Sequence, residues 1–260
     1  MYEQKVFPAP VKEQKEIINS YKIYEGNCLD ILQGFDKNSF DLIVTDPPYF
    51  LPIQSYVGTR ENGYARRTLA DTSILKGFFE RVFQELNRVL TDDGTYYVFC
   101  DAKSYPIFYE TLFPYTKHVR LLIWDKLISY NGYTWRHQHE LITWGEKQDT
   151  IRVPTGDGDI LKFRGVLQAD RLHPAEKPVG LLKLLIEKHE YSNVLDPFAG
   201  SGSTMAACQE LGKNCVAIEL DSVHCETIKT RCFDKTFLDR EVKYDFIRKR
   251  ESKEVEKSNE

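Results

Sequence analysis

Asp46 closes a hydrophobic run and is followed at once by Pro47, Pro48 and Tyr49. An amine attached to an aromatic ring is a poor nucleophile, because its lone pair is delocalised into the ring. Acceptors aimed at its N–H groups stabilise the charge that develops on nitrogen when it reacts. The Asp46 carboxylate is one such acceptor, and the Pro47 carbonyl is a second, held in a backbone with little freedom. Tyr49 adds a flat face on which a base drawn out of a duplex can stack. Far along the chain, another run ends in Asp196-Pro197-Phe198-Ala199-Gly200-Ser201-Gly202-Ser203. Gly200 and Gly202 supply a turn that lets the backbone approach a ligand, and the helix expected from Ser203 offers N–H groups and a positive dipole end. Glu219, ending the next apolar run, can accept hydrogen bonds from both hydroxyls of a ribose. Each pattern alone has a plain alternative: a proline-broken turn with a packing tyrosine, and a tight turn with an incidental surface acid. The third glycine of a dinucleotide fingerprint is replaced by Met205, which argues against NAD.

These residues need a scaffold that delivers them together. Apolar and β-branched runs predict seven strands, at residues 21–25, 41–45, 95–100, 119–124, 140–144, 193–195 and 215–220. Helical spacing predicts helices at residues 74–90, 179–189, 203–211 and 222–232, with Gly212 ending the third. Alternation of this kind argues an α/β protein with a mostly parallel sheet and helices on both faces. Residues 193–220 form one compact βαβ unit, whose crevice favours cofactors. The polar stretches 51–70, 129–137 and 148–174 are the candidate substrate loops. One main domain is expected over residues 21–246, after an N-terminal extension at 1–20 and before a charged, disordered tail at 247–260.

Composition narrows the partners. The net charge is −4 and the pI about 5.9, so any nucleic-acid contact has to be local rather than the work of a globally basic surface. The six cysteines include no C-x-x-C pair, so neither a zinc ribbon nor a thioredoxin-type motif is supported, and no metal is expected. No apolar stretch approaches a membrane span, and the first residues do not resemble a secretory signal. The expected location is therefore the cytoplasm.

Taken as a set, the motifs resemble those of the S-adenosylmethionine-dependent DNA amino-methyltransferases. Asp46-Pro47-Pro48-Tyr49 matches their catalytic tetrapeptide, and the Asp196–Ser203 segment matches their cofactor motif. The order, catalytic before cofactor-binding, resembles the β group of that family. His173-Pro174-Ala175-Glu176-Lys177-Pro178 looks like the H-P-x-x-K-P segment that precedes the cofactor motif there. The resemblance covers about residues 21–233 and implies a Rossmann-like methyltransferase fold and S-adenosylmethionine as cofactor. It further implies that Asn27, Thr45, Asp46, His173, Lys177, Asp196, Pro197, Phe198, Ala199, Gly200, Gly202, Ser203, Glu219 and Leu220 border that cofactor. Lys177 would meet its carboxylate by a charge-assisted contact. Asn27 stands where the family commonly has an acid beside the cofactor adenine, and its amide can pair with that edge.

DNA is the implied substrate and adenine N6 the implied target, since N4-cytosine enzymes more often carry Ser in place of the Asp. N4-cytosine methylation, RNA as substrate, and a non-catalytic DNA-binding or regulatory subunit of the same fold are the alternatives. Arg60, Arg66 and Arg67 could clamp phosphates, while Tyr133, Trp135 and Arg136 could line a base pocket or read a groove. His137 and His139 have no part in such a mechanism, which needs no histidine base. The stretch where the β group inserts its sequence-reading elements is short here. Either recognition is modest, or a homodimer mate or separate recognition partner contributes.

Overall fold

The computed structural model describes residues 19–48, 69–128, 134–149, 156–166, 176–233 and 242–248. In chain order the elements are β1 (Asn19–Glu25), α1 (Cys28–Leu32), β2 (Phe40–Thr45), α2 (Leu69–Val89), β3 (Leu90–Cys100), α3 (Tyr105–Leu112), β4 (His118–Asp125) and β5 (His139–Glu146). They continue with β6 (Ile160–Lys162), α4 (Val179–Glu187), β7 (Asn193–Asp196), α5 (Ser203–Leu211), β8 (Asn214–Glu219), α6 (Ser222–Cys232) and β9 (Val242–Arg248). The strands form one sheet in the order β6-β4-β5-β3-β2-β7-β8-β1-β9. Among the described residues, only β5 runs antiparallel to its neighbours; every other pairing is parallel.

Alternation along the central strands divides the core into two layers. Leu42 and Val44 of β2, Tyr97 and Phe99 of β3, and Val194 of β7 pack against Leu181, Leu185, Met205, Cys208, Cys225 and Ile228 of α4, α5 and α6. Their sequence neighbours Ile43, Tyr96, Val98 and Leu195 point the other way, onto Leu29 and Leu32 of α1, Phe79, Phe83 and Leu86 of α2, and Phe108 and Leu112 of α3. Caps fix where the helices begin. The Asn27 side chain accepts the Leu29 N–H at 2.9 Å to start α1, and Asp221 accepts the Val223 N–H at 2.8 Å to start α6. Gly212, left-handed at φ 63°, ends α5 as the sequence predicts.

The seven predicted strands are all present, but the sheet has nine among the described residues, so the expected count needs correcting. Both additions lie at edges: β6 is three residues long and pairs with β4, while β9 pairs with β1 and extends two residues past the expected domain end at 246. A three-residue edge strand carries no readable period. β9 carries half-buried Tyr244 and Phe246 among Lys243, Asp245 and Arg248, with Ile247 exposed, and so shows no clean period. The helices α1 and α3 also escape prediction, the first because it has only five residues and the second because Pro106 near its start reads as a breaker.

Candidate active site

The adjacent strands β2 and β7 run parallel, with Leu42 opposite Val194 and Ile43 opposite Leu195. The chain leaving β2 crosses through α2 on one face of the sheet, and the chain leaving β7 crosses through α5 on the other. Strands whose crossovers diverge in this way leave a crevice at their carboxyl ends. Asp46 follows β2 at that edge and Asp196 ends β7 there. The Thr45 hydroxyl donates to Asp196 Oδ1 at 2.8 Å, joining the two segments directly. The two motifs that the sequence separates by 150 residues thus share one cleft.

On the β7 side, burial pushes the Asp196 carboxyl up to about 6, although it accepts hydrogen bonds from the Thr204 and Thr45 hydroxyls and the Phe198 N–H. Pro197 and Ala199 are buried. Phe198 is half-buried and meets Phe78 and Phe79 edge-on, at centroid distances of 6.4 and 6.5 Å. The turn closes through Gly202 N–H to Ala199 O at 2.8 Å, with Gly202 left-handed at φ 79° and Ser203 opening α5. Arg231, near the end of α6, donates from Nη1 to Ser201 O and Ser203 Oγ, each at 3.3 Å, and pairs with the buried Glu176 carboxylate at 2.9 Å. Nothing in the sequence marks this brace on the glycine turn, because Arg231 reads as an ordinary basic residue in a last helical turn.

Glu219 ends β8 beside the turn. Its Oε2 accepts the Gly200 N–H and its Oε1 the Asp221 N–H, both at 2.8 Å. Each oxygen keeps a lone pair for a further donor. Next to it, Leu220 presents an apolar side chain that is 64% exposed. A carboxylate able to accept hydrogen bonds from two more hydroxyls beside bare apolar surface fits the ribose and adenine of a nucleoside. Asn27, exposed at the end of β1, commits its side-chain oxygen to the α1 cap and keeps its amide N–H groups.

On the β2 side, Asp46 is half-buried, Pro47 buried and Pro48 exposed. The Asp46 carboxylate is ion-paired with Lys177, from the segment leading into α4. The same ammonium lies 3.3 Å from Glu140 Oε2 at the start of β5 and 5.1 Å from the Phe99 ring centroid, and Lys126, just after β4, pairs with Glu140 Oε1 at 2.5 Å. Burial alone would disfavour the charge on Lys177, but Asp46 and Glu140 outweigh it and hold its pKa above the ordinary lysine value. Burial likewise pushes Glu140 up, and Lys177 and Lys126 reverse that, leaving it below the usual carboxylate range. Nothing local in the sequence marks Glu140, the first residue of a predicted strand, or Lys126, which follows one.

Trp135 and Arg136 lie between β4 and β5, both exposed, Trp135 at 87%. Because β4 runs parallel to its neighbours beyond β5, this connection emerges at the carboxyl edge that carries Asp46. His137 and His139 are exposed beside them. Tyr49, Arg60, Arg66, Arg67, Tyr133 and His173 lie outside the described residues. Among the described residues, no group of His, Cys, Asp and Glu side chains is arranged to hold a metal ion, and no helix is long and apolar enough to cross a membrane.

Comparison with known proteins identifies the scaffold. The type II methyltransferase M2.MboI of Moraxella bovis is 29% identical over 249 residues, spanning 84% of this chain and 89% of its own length. The putative methylase YubD of Escherichia coli (strain K12) is 30% identical over 206 residues, 76% of this chain and 84% of its own. Among solved structures, TTHA0409 of Thermus thermophilus, a putative DNA modification methylase complexed with S-adenosyl-L-methionine, superposes with a TM-score of 0.67 at 18% identity. That match covers 89% of this chain and 100% of the other. The cytosine-N4-specific PvuII DNA methyltransferase superposes with a TM-score of 0.65 at 15% identity, over 85% of this chain and 89% of its own. The fold is thus the Rossmann-like fold of S-adenosylmethionine-dependent methyltransferases. The DNA methylase family of N6 and N4 type matches residues 40–230, from the first residue of β2 to the last turn of the cleft-bracing helix α6, and this chain belongs to that family of DNA amino-methyltransferases.

Proposed function

We propose that the protein methylates the N6 amine of adenine in DNA, as the modification enzyme of a type II system, in the cytoplasm. The observation that carries this reading is the Thr45–Asp196 hydrogen bond, which brings the acid of the catalytic tetrapeptide to the mouth of the glycine turn. The choice of adenine over cytosine rests on Asp at position 46, where the N4-cytosine enzymes more often have Ser.

S-adenosylmethionine, when bound, supplies an electrophilic methyl group on a sulfonium. Glu219 would hold its ribose hydroxyls, Leu220 and the Asn27 amide would border its adenine, and the Gly200–Gly202 turn with the first N–H groups of α5 would line its centre. Phe198, Asp196 and the segment His173–Pro178 would enclose the rest. On the acceptor side, the Asp46 carboxylate and the Pro47 carbonyl accept the two N–H groups of the flipped base, turning the nitrogen lone pair toward the donor. Tyr49 stacks on the base from one side. The N–C bond would form as the sulfonium's bond to its methyl breaks, the sulfur keeping the electron pair as a neutral thioether, and the surplus proton on nitrogen would leave for solvent, with Asp46 as its transient holder. Arg60, Arg66, Arg67, Tyr133, Trp135 and Arg136 would meet the DNA, and a second copy or a recognition partner would supply the target reading that so short an insertion cannot.

The test pairs Asp46→Ala with calorimetry. The variant should bind S-adenosylmethionine within about threefold of wild type yet lose methyl transfer to DNA by roughly a thousandfold or more. Undiminished transfer of radiolabelled methyl groups by this variant would remove Asp46 from the mechanism. Mass spectrometry of nucleosides digested from modified DNA then separates N6-methyladenine from N4-methylcytosine. Wild-type protein that binds no cofactor would favour the non-catalytic DNA-binding subunit instead.

A further inference from the structure

Four charged side chains beside the cleft alternate in sign: Asp46, Lys177, Glu140 and Lys126. They come from four separate places, namely the end of β2, the approach to α4, the start of β5 and the end of β4. Lys177 is only 5% exposed. Burying an ammonium costs several kcal/mol before its partners offset it, so a site retaining one needs a reason. The described neighbours of Lys177 include the Phe99 ring and the two carboxylates of Asp46 and Glu140, so the ammonium sits among charges at the cleft. Directly before Lys177, Glu176 is pinned by Arg231 to the glycine turn. The Glu176–Lys177 pair therefore ties the cofactor turn on one side to Asp46 on the other.

We infer that Lys177 and Glu140 are positioning residues for methyl transfer. Lys177 holds Asp46 Oδ2 and so fixes the direction in which the carboxylate faces the acceptor amine. Glu140, backed by Lys126, meets the same ammonium at 3.3 Å and so fixes where it sits against Asp46. The inference rests on the reading of Asp46 as the group that receives the target amine. It gives Lys177 a partner on the acceptor side, in contrast to a lysine devoted to the cofactor's carboxylate.

The charges predict shifts of opposite sign. If turnover needs Asp46 ionised, the acid limb of kcat reports its protonation. Among the described residues, the groups facing Asp46 include Lys177 and, beyond it, Glu140 and Lys126, together with the buried Asp196 at the end of β7 and the Cys100 thiol at the end of β3. Asp196 and Cys100 are common to every variant compared. Removing the ammonium eases protonation of Asp46 and should move the limb to higher pH; removing the Glu140 charge does the reverse.

The experiment measures kcat, and KM for S-adenosylmethionine, across pH for full-length wild type, Lys177→Met, Lys177→Arg and Glu140→Gln, using radiolabelled methyl transfer to DNA. Lys177→Met and Glu140→Gln should each lose roughly ten- to a hundredfold in kcat, with limbs displaced in opposite directions and KM for the cofactor nearly unchanged. Lys177→Arg should restore the wild-type limb. A Lys177→Met enzyme whose KM for the cofactor rises while its limb stays put would overturn the inference, assigning the ammonium to the cofactor. Equal losses with unmoved limbs would also overturn it, leaving a structural ion network. Wild-type protein that transfers no methyl group to DNA would sink the functional reading itself, an outcome distinct from active wild type with unaltered variants.

Discussion

Asp196 shows how one side chain links the stability of the cleft to pH. Its carboxyl is pushed up to about 6 by burial, against an ordinary value of 3.8. A carboxyl raised in the fold binds its proton more tightly there than in the unfolded chain. Its stabilising contribution is therefore complete below pH 3.8 and is lost as pH rises through about 6. Cofactor-free wild type should gain about 1 kcal/mol from this group between about pH 7 and pH 5, while Asp196→Asn should lack the gain. The difference between the two melting curves across that range isolates the effect, since every other titrating group is common to both proteins. Parallel curves would show that Asp196 titrates alike in both states. At the other corner of the cleft, Glu219 already holds the Gly200 and Asp221 N–H groups and faces exposed Leu220. Glu219→Gln keeps one acceptor oxygen and should weaken S-adenosylmethionine binding about ten- to a hundredfold, with kcat at saturating cofactor within about threefold. Calorimetry and saturation kinetics together check it, and a loss confined to kcat would place the acid elsewhere in the mechanism.

Among the elements, the turn into α5 has the least tolerance. Gly202 sits at φ 79°, and a Cβ built there would lie 2.9 Å from Ile228 Cγ2 of α6. Gly202→Ala combines left-handed backbone strain with displacement of a buried side chain, so it should destabilise the fold by about 2 to 4 kcal/mol and raise KM for the cofactor. Thermal unfolding reads the first effect, and a variant as stable as wild type would show that α6 can retreat without cost. The glycine at this position was legible in the sequence from the strand before it and the helix after it. Its clash with Ile228 was not, because 26 residues separate the two and only the packing of α5 on α6 brings them together. The same distinction runs through the elements. Val44, Tyr97, Val194 and Met205 announce strands and helices by local period, whereas α1, α3 and β6 are too short or too broken to show one. The site divides likewise: Asp46 and the glycine turn stand in compact motifs, while Glu140, Lys126 and Arg231 matter only through partners 14 to 55 residues away.

For the molecule as a whole, a net charge of −4 has to be reconciled with a polyanionic substrate. Attraction to phosphate cannot come from the average surface, so it has to be local, and the edge of the sheet that carries the cleft is where we propose it. The connection from β4 to β5 emerges at that edge and holds Trp135 and Arg136 in the open, beside exposed His137 and His139. The chain has three tryptophans, and the other two, Trp124 and Trp144, are buried in the sheet. Trp135 is therefore the one indole that solvent, or a base, can reach directly. If it stacks on DNA, adding an oligonucleotide duplex should quench the exposed component of the intrinsic fluorescence, and Trp135→Phe should abolish that quenching while retaining most of the affinity. Trp135→Ala should weaken binding by about 1 to 3 kcal/mol without altering its dependence on salt. Arg136→Ala should do the opposite, lowering the slope of log affinity against log salt by about one if its guanidinium meets a phosphate. Fluorescence that ignores DNA, with an unchanged salt slope in Arg136→Ala, would move the DNA path off this connection. The burden would then fall on the cationic stretch that follows Asp46, where Arg60, Arg66 and Arg67 are the next side chains to replace.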